Sequence, residues 1–221
     1  MQPVIILNLK VYNESAGPKA LELAQIAESV AKDTGVPIIV APPAPDLALV
    51  AKHVKIPVFA QHVDDVQPGA ATGAVTLEGI KASGCAGSLV NHAEKKIRLA
   101  EIRSLIERAL SLDLKTCVCT VNAAESKAVA CLKPSFIAVE PPELIGTGVS
   151  VSTAKPEVIT ETIREVKSIS NVPVLCGAGV SNGHDVKRAL ELGAEGVLLA
   201  SAFVKAKDPR GVLTDMAKGT K

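Results

Sequence analysis

Tryptophan is missing from this chain, and one Tyr and three Phe are its only other large aromatics, 2% of 221 residues. So little ring surface gives no platform on which nucleic-acid bases could stack. Neither sign of charge dominates: 24 Lys and Arg face 23 Asp and Glu, for a formal net charge of +1. A field that weak does not draw in polyanions or a membrane surface. No apolar run approaches the ~18 residues of a membrane span, and no basic segment precedes the first apolar run as in a secretory leader. The five cysteines, Cys85, Cys117, Cys119, Cys131 and Cys176, are odd in number and lack zinc-ligand spacing. A reduced, cytoplasmic chain is expected. There is no linker, low-complexity tract or charge block, so residues 1–221 are expected to form a single domain.

What the chain does contain is apolar, at 48%, with a mean hydropathy of +0.30. The apolar residues come in short continuous runs: Val4–Asn8, Pro37–Ala41, Pro57–Gln61, Ser88–Asn91, Thr116–Cys119, Phe136–Val139, Pro173–Cys176 and Gly196–Ala200. Continuous runs, as opposed to alternating ones, mark parallel strands covered on both faces. Amphipathic segments separate them. Leu23, Ile26, Ala27 and Val30 share one helical face; so do Ile102, Leu105, Ile106 and Ala109, and Ile159, Thr162, Ile163 and Val166. Asp208-Pro209 is a helix start, and Gly35 and Gly193 fall where helices should stop. Eight strand–helix repeats predict an α/β protein built as one (β/α)8 barrel, with a doubly wound open sheet as the alternative. At this length several of the helices must be short.

Active groups in such barrels sit where strands end. Strand 1 runs into Asn8-Leu9-Lys10, strand 4 into Asn91-His92-Ala93-Glu94 and strand 6 into Glu140. Strand 7 runs into Cys176-Gly177-Ala178-Gly179 and strand 8 into Ala200-Ser201. An amide, a cation, an imidazole, a carboxylate and two turns rich in main-chain N–H groups thus meet on one rim. Each has a plainer reading: Lys10 as a surface cation, His92 as a core histidine, Glu94 as a solvated first-turn acid, the glycines as a tight turn, Gln61 and Thr72 as loop polars. We pair Glu94 with Lys10 and expect His92 at a helix N-terminus. His62 and Asp64 have no obvious partners, and no strand-end constellation calls for a metal. After Glu140 come Pro141-Pro142, two apolar residues, Leu144 and Ile145, and Gly146-Thr147-Gly148: stiff hinge, apolar tip, pliant hinge.

These motifs together resemble the triosephosphate isomerase family, along the whole chain and most closely its compact, archaeal-type branch. Asn8-x-Lys10 resembles the first-strand motif. Asn91-His92-Ala93-Glu94-Lys95 resembles the histidine motif, and Val139-Glu140-Pro141-Pro142-Glu143-Leu144-Ile145-Gly146-Thr147-Gly148 the catalytic acid and lid. Ala60-Gln61 and Thr72-Gly73 resemble the third-strand end and interface loop. Ala93 departs from the usual Ser, Pro141-Pro142-Glu143 from Pro-x-Trp, and Gly177-Ala178-Gly179 from Gly-Gly-Ser.

The resemblance implies interconversion of dihydroxyacetone phosphate and D-glyceraldehyde 3-phosphate through an enediolate, in glycolysis and gluconeogenesis. It implies Glu140 as base, His92 as neutral electrophile, and Lys10 and Asn8 as electrostatic stabilisers. Ile145, Gly146, Gly179, Ala200 and Ser201 would hold the phosphate under a lid formed by residues 141–148. Glu94, Gln61, Thr72 and Cys119 would support them, Cys119 by packing. No cofactor or metal is needed, and neither nucleic acid nor a membrane is a partner. A homo-oligomer is implied, a tetramer in preference to a dimer, with Thr72 reaching a neighbour's Asn/Lys pair. The glycine turns after strands 7 and 8 also suit other phosphosugar isomerases and epimerases, or a non-catalytic phosphate-ligand barrel.

Overall fold

The computed structural model describes residues 2–145 and 150–221. In chain order the elements are β1 (Val4–Asn8), α1 (Pro18–Thr34), β2 (Ile38–Ala41), α2 (Leu47–His53), β3 (Phe59–Ala60), α3 (Leu77–Ala82), β4 (Gly87–Val90) and α4 (Leu99–Ser111). There follow β5 (Lys115–Thr120), α5 (Ala123–Ala130), β6 (Phe136–Val139), α6 (Val151–Ala154), α7 (Pro156–Lys167), β7 (Val174–Cys176), α8 (Gly183–Glu191), β8 (Gly196–Leu199), α9 (Ser201–Val204) and α10 (Pro209–Lys218). All strand pairings are parallel, in the order β2-β1-β8-β7-β6-β5-β4-β3, and a Val40–Val58 bridge joins the two ends into a ring. The expected eight-stranded barrel is the observed one, and the open sheet is excluded.

The eight apolar runs are the eight strands, with ends that move by up to two residues. β3 is the shortest because Pro57 can offer only a carbonyl, which accepts from Val40 N–H at 3.1 Å. β4 stops before Asn91, whose φ of +62° turns the chain out of the ladder. Brevity is absorbed by the helices, with α2 at seven residues, α3 at six and α9 at four. Gly35 caps α1 in the left-handed region at φ +74° and donates to Ala31 O. Asp208 caps α10 through Gly211 N–H, with Pro209 as first helical residue.

Side chains alternate across each strand, so two cores form. One, between strands and helices, includes Ile5, Leu7, Val118, Ile137 and Val197. The other fills the ring and includes Val4, Ile6, Phe59, Leu89, Cys117, Cys119, Phe136, Ala138, Leu175 and Leu198. The inward set positions the site. Two residues beyond Ile6 comes Asn8; two beyond Ala138, Glu140; two beyond Leu175, Gly177; two beyond Leu198, Ala200. A period of two therefore delivers four rim positions to the same mouth of the barrel.

Candidate active site

Glu140 follows β6 directly, and its N–H donates to Thr120 O at 2.8 Å, extending the ladder by one residue. Its side chain is buried, and Oε2 has no hydrogen-bond partner among the described residues. Burial raises its pKa above the ordinary carboxylate value; His92, a hydrogen bond with Cys119, and Lys10 act in the opposite direction. Beside it the chain needs glycine. A Cβ on Gly177 would stand 2.2 Å from Glu140 Cγ. The Gly177 N–H is also committed, donating to Val139 O at 2.9 Å. Gly177 is therefore ladder and floor, while Gly179, the glycine of this turn expected to face a phosphate, adopts φ +71° and lines the cavity.

His92 is 5% exposed. Its Nδ1 accepts the Glu94 backbone N–H at 3.1 Å, so the ring proton of the neutral imidazole sits on Nε2. Nε2 faces Glu140 Oε2 at 3.6 Å, too far for a direct hydrogen bond and wide enough for a small polar group to approach both. The expected helix N-terminus is not there: α4 begins at Leu99, and His92 opens a single turn closed by Lys95 N–H to His92 O at 2.8 Å. A local backbone bond, and not a helix dipole, sets the tautomer.

Lys10 adopts φ +50°, an uncommon conformation for a side chain with a Cβ. Three contacts hold it there. Its N–H donates to Asn8 Oδ1 at 3.0 Å; its carbonyl accepts from Gln61 Nε2 at 2.9 Å; its ammonium meets Glu94 Oε1 at 2.7 Å. Gln61 Nε2 also donates to Ala41 O at 3.0 Å. The Lys10 side chain is only 11% exposed, whereas that of Glu94 is 57% exposed, so Glu94 steers the cation from the solvent side.

Asn8, Lys10, His92, Glu140, Ile145, Gly179, Ala200 and Ser201 surround one cavity of about 220 Å³. Gly146 lies outside the described residues. Tyr12, Val180 and Ser181 also line the cavity, although no sequence motif marked them; Lys205 Nζ sits 4.2 Å above the Tyr12 ring. Cys119 is buried, and burial with the Glu140 charge pushes its thiol well above the usual range. It is a proton-bearing neighbour of the carboxylate, unsuited to attack as a thiolate. Glu143 and Lys155 form an ion pair that ties the 3-10 turn 142–144 to the residue preceding α7.

Thr72 is exposed and outside this cavity. Its loop is closed at the base by a partnership missed in the sequence. His62 Nε2 lies 3.0 Å from Asp64 Oδ1, and Asp64 Oδ2 accepts Val75 N–H at 2.8 Å. Burial disfavours the Asp64 charge, but Val75 and His62 hold its carboxyl below the ordinary value. Among the described residues no group of three or more His, Cys, Asp and Glu could hold a metal ion. Among the described residues no helix is long and apolar enough to cross a membrane.

Residues 3–219 match the family model described as triosephosphate isomerase. Curated relatives carrying that name agree along the chain. That of Methanocaldococcus jannaschii is 53% identical over 97% of this chain and 99% of its own. That of Methanothermus fervidus is 51% identical, covering 97% of both. That of Methanobrevibacter smithii is 47% identical, again covering 97% of both.

Proposed function

The chain belongs to the triosephosphate isomerase family, and we propose that Glu140, His92, Lys10 and Asn8 perform the family's reaction in it. That reaction interconverts dihydroxyacetone phosphate and D-glyceraldehyde 3-phosphate, a step of glycolysis and gluconeogenesis. Moving a carbonyl by one carbon requires a base that takes a carbon-bound proton and returns it to the neighbouring carbon. Glu140 suits this: its raised pKa strengthens it as a base, and the unpartnered Oε2 is ready to receive the proton. As the proton leaves, negative charge develops on the substrate oxygens. His92 Nε2–H and the Lys10 ammonium lie where they can stabilise it without rearranging. Asn8 holds Lys10 and supplies a neutral donor.

The phosphate does not react. Ile145, Gly146, Gly179, Ala200 and Ser201 are the proposed cradle, and its binding energy orients the carbon acid beside Glu140. Residues 141–148 would close over it and exclude water. The working unit is a homo-oligomer, a tetramer in preference to a dimer, in which Thr72 approaches a neighbour's Lys10. The enzyme would act in the cytoplasm as one domain, with no cofactor.

The observation that carries the reading is the buried, half-unpartnered Glu140 facing the protonated nitrogen of His92 across 3.6 Å. A coupled assay on glyceraldehyde 3-phosphate tests it. The purified chain should turn over, and Glu140→Asp should lose on the order of 10²-fold or more, the effect of displacing a reacting group by about 1 Å. A variant with near-full turnover would exclude Glu140 as the base.

A further inference from the structure

The segment that carries both His92 and Glu94 belongs to no helix or strand, so something outside it must fix its aim. Asn91, 2% exposed and held at φ +62°, closes the segment on itself: its Oδ1 accepts the Ile97 N–H at 3.1 Å. Its Nδ2 donates to Cys119 O at 2.9 Å, fastening the start of the segment to the end of β5. The second Nδ2 proton goes to Glu125 Oε1 at 2.8 Å. Glu125 stands in the first turn of α5, where Asn122 caps its own N–H at 2.9 Å. The same Oε1 accepts from Lys96 Nζ at 2.6 Å, and Oε2 meets Val121 N–H at 3.4 Å. One carboxylate thus gathers the first residue of the segment, its penultimate residue and the chain leaving β5. Bonds to an ionised acceptor are the stronger kind.

We infer that Glu125, acting through Asn91 and Lys96, is the positioning residue that aims the His92 imidazole at the reacting atoms. It touches neither substrate nor Glu140. Its effect is to keep the Glu94 N–H beneath His92 Nδ1, and so to keep the ring proton on Nε2. The inference rests on the assignment of His92 proposed above.

Glu125→Leu removes the hub, and Lys96→Met, at a half-exposed position, loosens it more gently. Turnover should fall about tenfold for Glu125→Leu and less for Lys96→Met, a loss typical of small misalignment, with KM changed less than twofold. The double variant should be no worse than Glu125→Leu, because both changes break one network. The imidazole 15N signals of His92 should move from a pure Nε2–H tautomer toward a mixture. Lys127→Met, on the same helix as Glu125, is the control: it breaks a pair with Glu165 of α7 and should alter neither turnover nor the His92 signals. Should Glu125→Leu fail to fold, the Lys96→Met signals decide. Wild-type turnover retained in the hub variants, or turnover lost with unaltered His92 signals, overturns the inference. An inactive wild-type protein, or a fully active His92→Gln, would instead overturn the assignment of His92 itself.

Discussion

Gly177 and Glu140 share one space. The parallel register that sets Val139 beside Cys176 brings the next two residues level, and the acid's Cγ occupies the volume of the missing Cβ. Gly177→Ala should therefore displace the Glu140 carboxylate, the proposed base, and not merely stiffen a turn. Turnover should drop by on the order of 10²-fold while the protein still melts cooperatively; unchanged turnover would show that the acid has room elsewhere. Burial of Glu140 also has a pH signature. Its folded pKa lies above the unfolded value because burial disfavours the charge, so the fold is most stable with the group protonated, below the unfolded pKa near 4.5, and that stability is lost as pH rises through the higher folded value and the buried carboxyl must ionise. Glu140→Gln should thus raise the melting temperature at neutral pH, and the gain should vanish in acid; equal gains at pH 4 and pH 7 would contradict it. The sequence pointed to Glu140, His92 and Lys10, which line one cavity, because each is polar at or just beyond the end of an apolar run. It missed the role of Gly177 because a glycine's use depends on what stands next to it across the sheet.

Among elements, the loop from Asp64 to Thr76 is anchored far more firmly than its polar composition suggests. Arg108 of α4 donates to Asp65 Oδ1 at 3.2 Å, to Val66 O at 2.9 Å and to Glu78 Oε1 at 3.1 Å, and Ser104 Oγ joins Asp65 at 2.7 Å. Arg108→Leu should destabilise the protein by about 1–3 kcal/mol, the loss of charge-assisted bonds at a mostly buried site. An unchanged urea midpoint would show the loop to be held otherwise. Strands were legible because each is buried on both faces, which writes continuous apolar runs. The histidine segment was not: polar residues after a strand suit either a helix start or a bare turn. The bonds that hold the turn, Lys95 N–H to His92 O and Ile97 N–H to Asn91 Oδ1, depend in part on one side chain's orientation.

At the scale of the whole molecule, the proposed assembly predicts sedimentation at a multiple of 22.8 kDa at micromolar concentration, and a lone monomer would contradict it. In the proposed assembly a neighbour's Thr72 loop would enter the groove lined by Val11, Gln61, His62, Glu94 and Lys95 beside the Asn8–Lys10 pair, where Val11 is 83% exposed. The sequence carried the order of strands around the ring, because right-handed strand–helix–strand crossovers leave few alternatives. It did not carry the width of each join.

Those joins are unequal. β2 meets β3 through the Val40–Val58 bridge, and β7 meets β8 in one aligned pair, Cys176 with Val197, whereas β1 aligns four residues with each neighbour. The thin places divide the cylinder into two staves, β8-β1-β2 and β3 through β7. The Lys10 ammonium rides on the first, the His92 imidazole and the Glu140 carboxylate on the second. Any breathing of one stave against the other would pull the chemistry apart, and two clasps oppose it at the mouth: Gln61, bonded across to Lys10 and Ala41, and Glu94, bonded across to Lys10. Amide exchange should accordingly be faster at Val40 than at Ile6, and Gln61→Leu should widen that difference while lowering turnover.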